Sequence, residues 1–195
     1  MACATALCGK VKLMVGKLLK DGAKYERLKG GVVRVDDGVC LAGDMKCADE
    51  FIRLLRLSEA KGSSTPVVTK LFPGDEEQPF DEEDINLCRQ RVGIARYTVN
   101  YVTEAAFAVH VLSKRLSKPA ISDVKRLKQF GRYLRGVRDY APFFPRAGEI
   151  HVLERCADSA WAGDATDRKS VACGVMRCGG CALLEYSRGQ NARAR

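Results

Sequence analysis

Apolar residues recur at helical spacing through three stretches in the middle of the chain. Residues 45–57 place a set of apolar side chains on one face, which predicts an amphipathic helix. Residues 85–116 form the longest helical pattern, and Asp81 is expected to cap its start. Residues 119–138 carry an apolar stripe that predicts a further helix, with Ser122 as its expected N-cap. The middle of the chain is therefore predicted to be helical.

Period-two alternation and turn signals predict β-structure on both sides of these helices. Residues 24–43 contain two β-capable runs around a turn before Gly38, which predicts a hairpin. Towards the C-terminus, a short strand is expected to end near Asp158, and two apolar runs joined by Gly179 and Gly180 predict a second hairpin. The predicted fold class is α+β, in which a helical connection precedes a three-stranded antiparallel sheet.

Two proline-containing segments divide the chain into three parts. Residues 71–84 are acidic and contain prolines, as expected of a linker, and residues 139–148 form a loop with two prolines. We therefore predict three regions, at residues 1–80, 81–148 and 149–195.

The charge of the chain favours a polyanionic partner. Lysine and arginine number 33 against 24 aspartates and glutamates, so the net charge is +9, with a pI of about 9.2. Four of the basic residues follow one another at i, i+3, i+7 and i+10 on the third predicted helix: Lys125, Lys128, Arg132 and Arg135. On a nucleic-acid-binding protein such a stripe contacts phosphates, whereas on another protein it is a solvated helix face.

The nine cysteines indicate free thiols rather than a disulfide framework, because their number is odd and their spacing irregular. Neither a secretory segment nor a membrane span is recognisable, so we expect an intracellular protein, cytoplasmic or nuclear, without a membrane partner. Cys173, Cys178 and Cys181 show the C-x4-C-x2-C spacing of some iron–sulfur proteins. A cysteine-based iron–sulfur, zinc or redox function is therefore a less favoured alternative.

One stretch near the end of the chain carries a recognisable motif. Residues 157–170 read ADSAWAGDATDRKS and include the only tryptophan, Trp161. This stretch resembles the opening of the ribonuclease H domain in the Pol polyproteins of copia-type LTR retrotransposons. It departs from the family pattern at Ala160, where an aspartate usually precedes the tryptophan.

The resemblance extends upstream of that motif. Residues 87–119 align without a gap to a copia-type pattern, in which Arg89, Gly93 and Phe107 are among the matching positions. Residues 132–136, RYLRG, continue the match, although Asp123 stands where the family usually has histidine. The run Ser64-Thr65-Pro66 resembles a segment at the end of the reverse transcriptase region.

The resemblance implies a parent protein that copies RNA into DNA and degrades the template strand. Residues 1–80 would be the end of its reverse transcriptase region and 81–148 a helical connection. Residues 149–195 would be a truncated ribonuclease H-like segment, whose three-stranded antiparallel sheet is incomplete. In that enzyme several carboxylates hold a pair of Mg²⁺ ions. Asp158 matches the first metal-binding aspartate, whereas Asp164 and Asp167 match the motif and are expected to stabilise a turn.

This chain is expected to be inactive as a nuclease and a polymerase. It lacks the family's next helix, with its catalytic glutamate, and a lone Asp158 would bind Mg²⁺ weakly. The expected partners are an RNA/DNA hybrid or duplex and the remainder of the Pol polyprotein. A stand-alone basic nucleic-acid-binding fragment is the alternative interpretation.

Overall fold

The computed structural model describes residues 24–27, 30–35, 37–43, 45–67, 80–138, 140–146, 152–160 and 169–193. Most of the acidic linker, as well as Trp161, Asp164 and Asp167, lie outside the described residues. Helices and strands both occur, so the coarse prediction of an α+β protein is confirmed. In the described ranges, no helix is both long enough and apolar enough to cross a membrane.

Three strands that precede the helices and one that follows them form a four-stranded antiparallel sheet. Its strands are, in spatial order, β1 (Lys24–Arg27), β2 (Gly30–Val35), β3 (Gly38–Ala42) and β4 (Phe143–Pro145). The pairing of β2 with β3 confirms the predicted hairpin. The prediction that residues 139–148 are only a loop is wrong, because β4 pairs with β3. Pro145 is tolerated there since β4 is an edge strand, in which a missing N–H need not break the sheet.

Four α-helices form the middle of the described chain. They are α1 (Met45–Leu54), α2 (Glu82–Thr98), α3 (Ala106–Lys114) and α4 (Ile121–Gly136). The backbone N–H of Asp84 donates to the carboxylate of Asp81 at 2.8 Å, which confirms the predicted cap of α2. The prediction of Ser122 as the N-cap of α4 is wrong. The N-cap is Ala120, and the Asp123 carboxylate accepts its backbone N–H at 2.9 Å.

The longest helical pattern, at residues 85–116, is interrupted rather than continuous. Helix α2 ends at Thr98, and a single 3-10 turn at Thr103–Ala105 precedes α3. The residues in between are rich in β-branched side chains and include Asn100, all of which are weak helix formers. The hydroxyl of Thr98 also donates to the carbonyl of Ala95 at 2.7 Å. This break lets α3 turn back onto α2 and α4.

One hydrophobic core joins all four helices. The rings of Phe51 on α1 and Phe130 on α4 meet edge to face, 5.5 Å apart. Around them lie apolar side chains that are almost completely buried, among them Leu55, Leu57, Val92, Ala95, Leu127 and Leu134. Helix α1 therefore packs on helices from beyond the predicted boundary at residue 80. The three-part domain division stays a prediction.

A three-stranded antiparallel sheet follows, in the order β5 (Leu153–Ala160), β6 (Lys169–Cys178) and β7 (Cys181–Arg193). Gly179 and Gly180 connect β6 to β7 with φ of 56° and 79°, the left-handed values that a two-residue hairpin turn favours. The predicted C-terminal hairpin is confirmed. Strand β7 packs against α3, which attaches this sheet to the helices.

Candidate nucleic-acid interface

The basic stripe of α4 is largely solvent-exposed. The side chains of Lys125, Lys128 and Arg132 are exposed, while Arg135 is half-buried. The guanidinium of Arg135 donates to the carbonyl of Leu57 at 3.2 Å and also to that of Ser58. Arg135 thus fixes the chain that follows α1, and the side chains of the other three residues are exposed to solvent.

A loop formed by residues 57–67 is fastened along the same side of α4. The amide Nε2 of Gln129 donates to the hydroxyl of Ser63 at 2.7 Å and to the carbonyl of Thr65 at 2.8 Å. The backbone N–H of Ser63 donates to the carbonyl of Arg132 at 3.0 Å. Nothing local to the Ser-Thr-Pro run indicates its attachment to a helix more than sixty residues later.

An open cleft of about 390 Å³ lies where α1, α2 and α4 meet. One part of its lining is apolar and the other is basic, and none of the lining residues is acidic. The apolar residues are Leu54, Leu55, Leu57 and Val124, and the basic residues are Arg56, Arg91, Lys128 and Arg132. We call these eight residues the basic cleft. Its side chains come from three separate helical regions, so only tertiary packing brings them together.

Two arginines of the basic cleft are held in unusual environments. The Nε atom of Arg91 is buried without a hydrogen-bond partner among the described residues, a situation that costs about 1–3 kcal/mol or more for a charged group. Arg56 has a φ of 55°, in the left-handed region. It follows the end of α1, where Arg56 N–H donates to Arg53 and Leu57 N–H donates to Ile52, as in a Schellman motif. Glycine is the usual residue at that position.

Asp123, the only acidic residue of α4, is turned inward and neutralised. Its side chain is 3% exposed and lies 3.1 Å from Nε of Arg115 and 2.5 Å from Nη1 of Arg126. The outer face of α4 therefore carries lysine and arginine with no carboxylate of its own helix beside them. The negative charge is used to anchor the start of the helix.

Asp158, the predicted metal-binding residue, lies in β5, where all described side chains are exposed. Its carboxylate accepts the backbone N–H of Ser159 at 2.8 Å. In register it faces Cys173, which in turn faces Ser187. Across the described ranges, no group of three or more His, Cys, Asp or Glu side chains could hold a metal ion. The described surroundings of Asp158 thus do not fit a pair of Mg²⁺ ions, which needs several carboxylates.

The three cysteines with C-x4-C-x2-C spacing are spread over the β6–β7 hairpin. Cys178 and Cys181 face each other beside the turn. Cys173 is five residues before Cys178 on β6, and successive side chains of a strand alternate, so these two lie on opposite faces. All seven described cysteines are free thiols. The hairpin does not favour a site formed by these three sulfurs.

A second cavity, of about 310 Å³, lies between α2, α3 and β7. His110 Nε2 and Ser187 Oγ line it, and both atoms are buried without a hydrogen-bond partner in the described part of the chain. Burial lowers the pKa of His110, and the positive charge of Lys114 lowers it further. Nothing near His110 in the sequence indicates this environment, because strand β7, which lines the same cavity, is distant in sequence.

The chain is similar to proteins from a plant and an oomycete. An uncharacterized mitochondrial protein of Arabidopsis thaliana is 26% identical over 170 residues, which make up 87% of this chain and 69% of that protein. A secreted RxLR effector protein of Plasmopara viticola is 35% identical over 79 residues. This match spans 40% of the chain and a little over half, 55%, of the effector. No family model and no solved structure matches the chain.

Proposed function

We propose that this chain is a segment of a copia-type Pol polyprotein and that it binds nucleic acid. The segment would run from the end of the reverse transcriptase region, through the connection, to the first strands of ribonuclease H. The resemblance over residues 87–136 and 157–170 supports this proposal. The similarity to the Arabidopsis mitochondrial protein, over 87% of the chain, agrees with a shared origin of the whole segment rather than of one motif.

The observation that carries nucleic-acid binding is the uneven charge of α4. Its one carboxylate, Asp123, is buried and paired, while Lys125, Lys128 and Arg132 are exposed along the helix. Exposed lysines and arginines at helical spacing can follow a phosphate backbone, and the phosphates that they neutralise release their counterions. The net charge of +9 adds a long-range attraction for the same polyanion.

This mode of binding has two expected consequences. Affinity falls steeply with added salt, because counterion release is its main source. Base preference is weak, since phosphate contacts carry no sequence information. An RNA/DNA hybrid and a DNA duplex are both suitable partners, and the hybrid is the one that the proposed origin favours.

The test is a titration of the purified full chain with a labelled RNA/DNA hybrid at several salt concentrations. A triple variant, Lys125→Gln, Lys128→Gln and Arg132→Gln, is expected to reduce the salt slope by about 0.9 for each phosphate that the chain no longer neutralises. A control of equal charge change replaces three exposed arginines elsewhere with glutamine: Arg53, Arg155 and Arg177. Equal weakening by both triple variants would show that only net charge matters and would remove α4 as the interface.

We also propose that the chain does not hydrolyse RNA by itself. Asp158 is the one residue of the described sheet that matches a metal-binding aspartate, and one carboxylate cannot position the water and the leaving group together. The measurement is cleavage of the RNA strand of a hybrid in the presence of Mg²⁺. Cleavage by the unchanged chain that disappears in Asp158→Asn would contradict this proposal.

A further inference from the structure

We propose that the basic cleft is a phosphate-binding site that seats one phosphate group of a nucleic-acid strand. The nature of the strand rests on the proposed function, but the cleft itself is defined by its own side chains. Its volume of about 390 Å³ falls within the range of small-ligand sites, roughly 300–1,000 Å³. It adds Arg56 and Arg91 to the α4 residues Lys128 and Arg132.

The charge of the basic cleft calls for an anion. Three guanidinium groups and one ammonium group line it, and no acidic side chain does. Within the described chain, none of these four side chains makes a hydrogen bond or an ion pair. By contrast, Arg126 on α4 and Arg115 at the end of α3 both pair with the carboxylate of Asp123. Four cations left together without a carboxylate repel each other, and a bound anion relieves that repulsion.

Phosphate fits these residues better than a carboxylate does. The planar fork of arginine matches the oxygens of a phosphate, and several arginines can share one tetrahedral group from different sides. A single arginine can pair with both oxygens of a carboxylate, so four cations are more than one carboxylate requires. The apolar wall, formed by Leu54, Leu55, Leu57 and Val124, limits water around the anion. A lower local dielectric strengthens the attraction.

Arg91 and Arg56 are the residues that distinguish a formed site from a solvated helix face. The Nε donor of Arg91 is already removed from water and lacks an acceptor within the described residues, and a phosphate oxygen in the cleft would supply one. Arg56 occupies the left-handed end of α1, where glycine would be less strained. A strained arginine beside an unpaired one indicates that both side chains serve a ligand.

Two variants test this site without removing core side chains. Arg56→Gly deletes a cation while placing the preferred residue at a positive φ, so the fold is expected to persist. Arg91→Met keeps most of the side-chain volume and deletes the second cation. The matched control is Arg53→Gln, which removes a cation of the same helix end that pairs with Glu50 outside the basic cleft. Circular dichroism and thermal unfolding verify that each variant is folded.

Each cleft variant is expected to weaken binding of an RNA/DNA hybrid by about tenfold, which corresponds to about 1.4 kcal/mol. The Arg53→Gln control is expected to change the affinity by less than about twofold, as a screened surface charge does. Unchanged hybrid affinity in Arg56→Gly and Arg91→Met, together with abolished binding in the α4 triple variant, would overturn the cleft and leave the proposed function intact.

Calorimetric titrations with adenosine monophosphate and with inorganic phosphate show whether the basic cleft binds a small phosphate ligand or a nucleic-acid strand. If the unchanged chain fails to bind the hybrid, the proposed function is wrong. If the unchanged chain nevertheless binds the mononucleotide and both cleft variants do not, the phosphate site is supported. Its ligand is then a small phosphate compound and not a nucleic-acid strand. Absence of hybrid, mononucleotide and phosphate binding together would overturn the site.

Discussion

Asp123 and Arg126 form an ion pair within one turn of α4, with 2.5 Å between Oδ1 and Nη1. The carboxylate is 3% exposed and the arginine side chain 15% exposed, so the pair is largely removed from water. The other carboxylate oxygen contacts Arg115 and accepts the backbone N–H of Ala120. One acidic residue thus caps α4, joins it to the end of α3 and removes the only negative charge from the face of α4.

Replacing Asp123 by asparagine is expected to lower the free energy of unfolding by about 3 kcal/mol. The substitution keeps the size of the side chain but removes the carboxylate charge that pairs with Arg115 and Arg126, and breaking a buried pair typically costs this much. Urea denaturation measures the change. The control is Glu50→Gln, which breaks the exposed pair with Arg53 and is expected to have little effect. Similar losses of stability in the two variants would contradict the structural role of Asp123.

Two helix-interior glycines are expected to respond to alanine in opposite directions. A Cβ added to Gly93 on α2 would meet nothing within 4 Å, so Gly93→Ala should raise the free energy of unfolding by about 0.5–1 kcal/mol. A Cβ added to Gly131 on α4 would lie 2.6 Å from Leu57 Cδ1 and 3.2 Å from Leu55 Cδ1. Gly131→Ala is therefore expected to destabilise the fold by about 1–3 kcal/mol, as overpacking does.

The same urea titration measures both glycine variants. Each serves as the control for the other, because both exchange glycine for alanine within a helix. A gain in stability from Gly131→Ala would show that α4 and the chain after α1 do not approach each other as closely as described.

Local signals predicted the elements whose causes are local. The cap at Asp81 and the turn at Gly179 and Gly180 depend on residues adjacent in sequence, and both are observed. The break after Thr98 was missed, because helical periodicity continued through a run of weak helix formers. Strand β4 was missed since its partner, β3, lies about a hundred residues earlier and two prolines suggested a loop.

The candidate site was predicted only where it lies on a single helix. The spacing of Lys125, Lys128 and Arg132 shows in the sequence that they share one stripe. Arg56 and Arg91 belong to other helical regions, and nothing near them in sequence indicates that they face α4. The left-handed turn at Arg56 is seen only in the structure, because neither glycine nor asparagine marks it in the sequence.

Tyr133 is expected to make the stability of the protein fall in alkaline solution. Burial raises the pKa of Tyr133, and its hydrogen bond to the Glu104 carboxylate, 2.7 Å long, raises that pKa further. The unfolded chain releases the phenolic proton near pH 10, whereas the folded chain retains it. The stabilisation is therefore complete below about pH 10 and is lost progressively as the pH rises above that value.

Unfolding titrations below and above that pH measure this dependence on Tyr133. The comparison is with Tyr133→Phe, which keeps the ring in the core and removes the ionising hydroxyl. The variant is expected to lose less stability than the unchanged chain between the two conditions. An equal loss would assign the alkaline sensitivity to other groups.

Gln129 is expected to hold one wall of the basic cleft in place. Its amide donates to Ser63 and Thr65, and this attachment positions the loop that starts at Leu57, a lining residue of the cleft. Gln129→Leu removes both hydrogen bonds at nearly constant volume and should lower the free energy of unfolding by about 1 kcal/mol. Gln129→Glu is expected to have a larger effect, because a carboxylate would face the oxygen atoms that now accept from the amide.

Hydrogen exchange at the backbone N–H of Ser63, which donates to Arg132, reports the release of this loop directly. We expect faster exchange there in both Gln129 variants and unchanged exchange in β6, which pairs with β5 and β7 in the C-terminal sheet. Weaker binding of the nucleic-acid hybrid should accompany the faster exchange, since a displaced Leu57 opens the apolar wall to water. Unchanged protection at Ser63 would mean that its bond to Arg132 alone holds the loop, and the cleft would then not depend on Gln129.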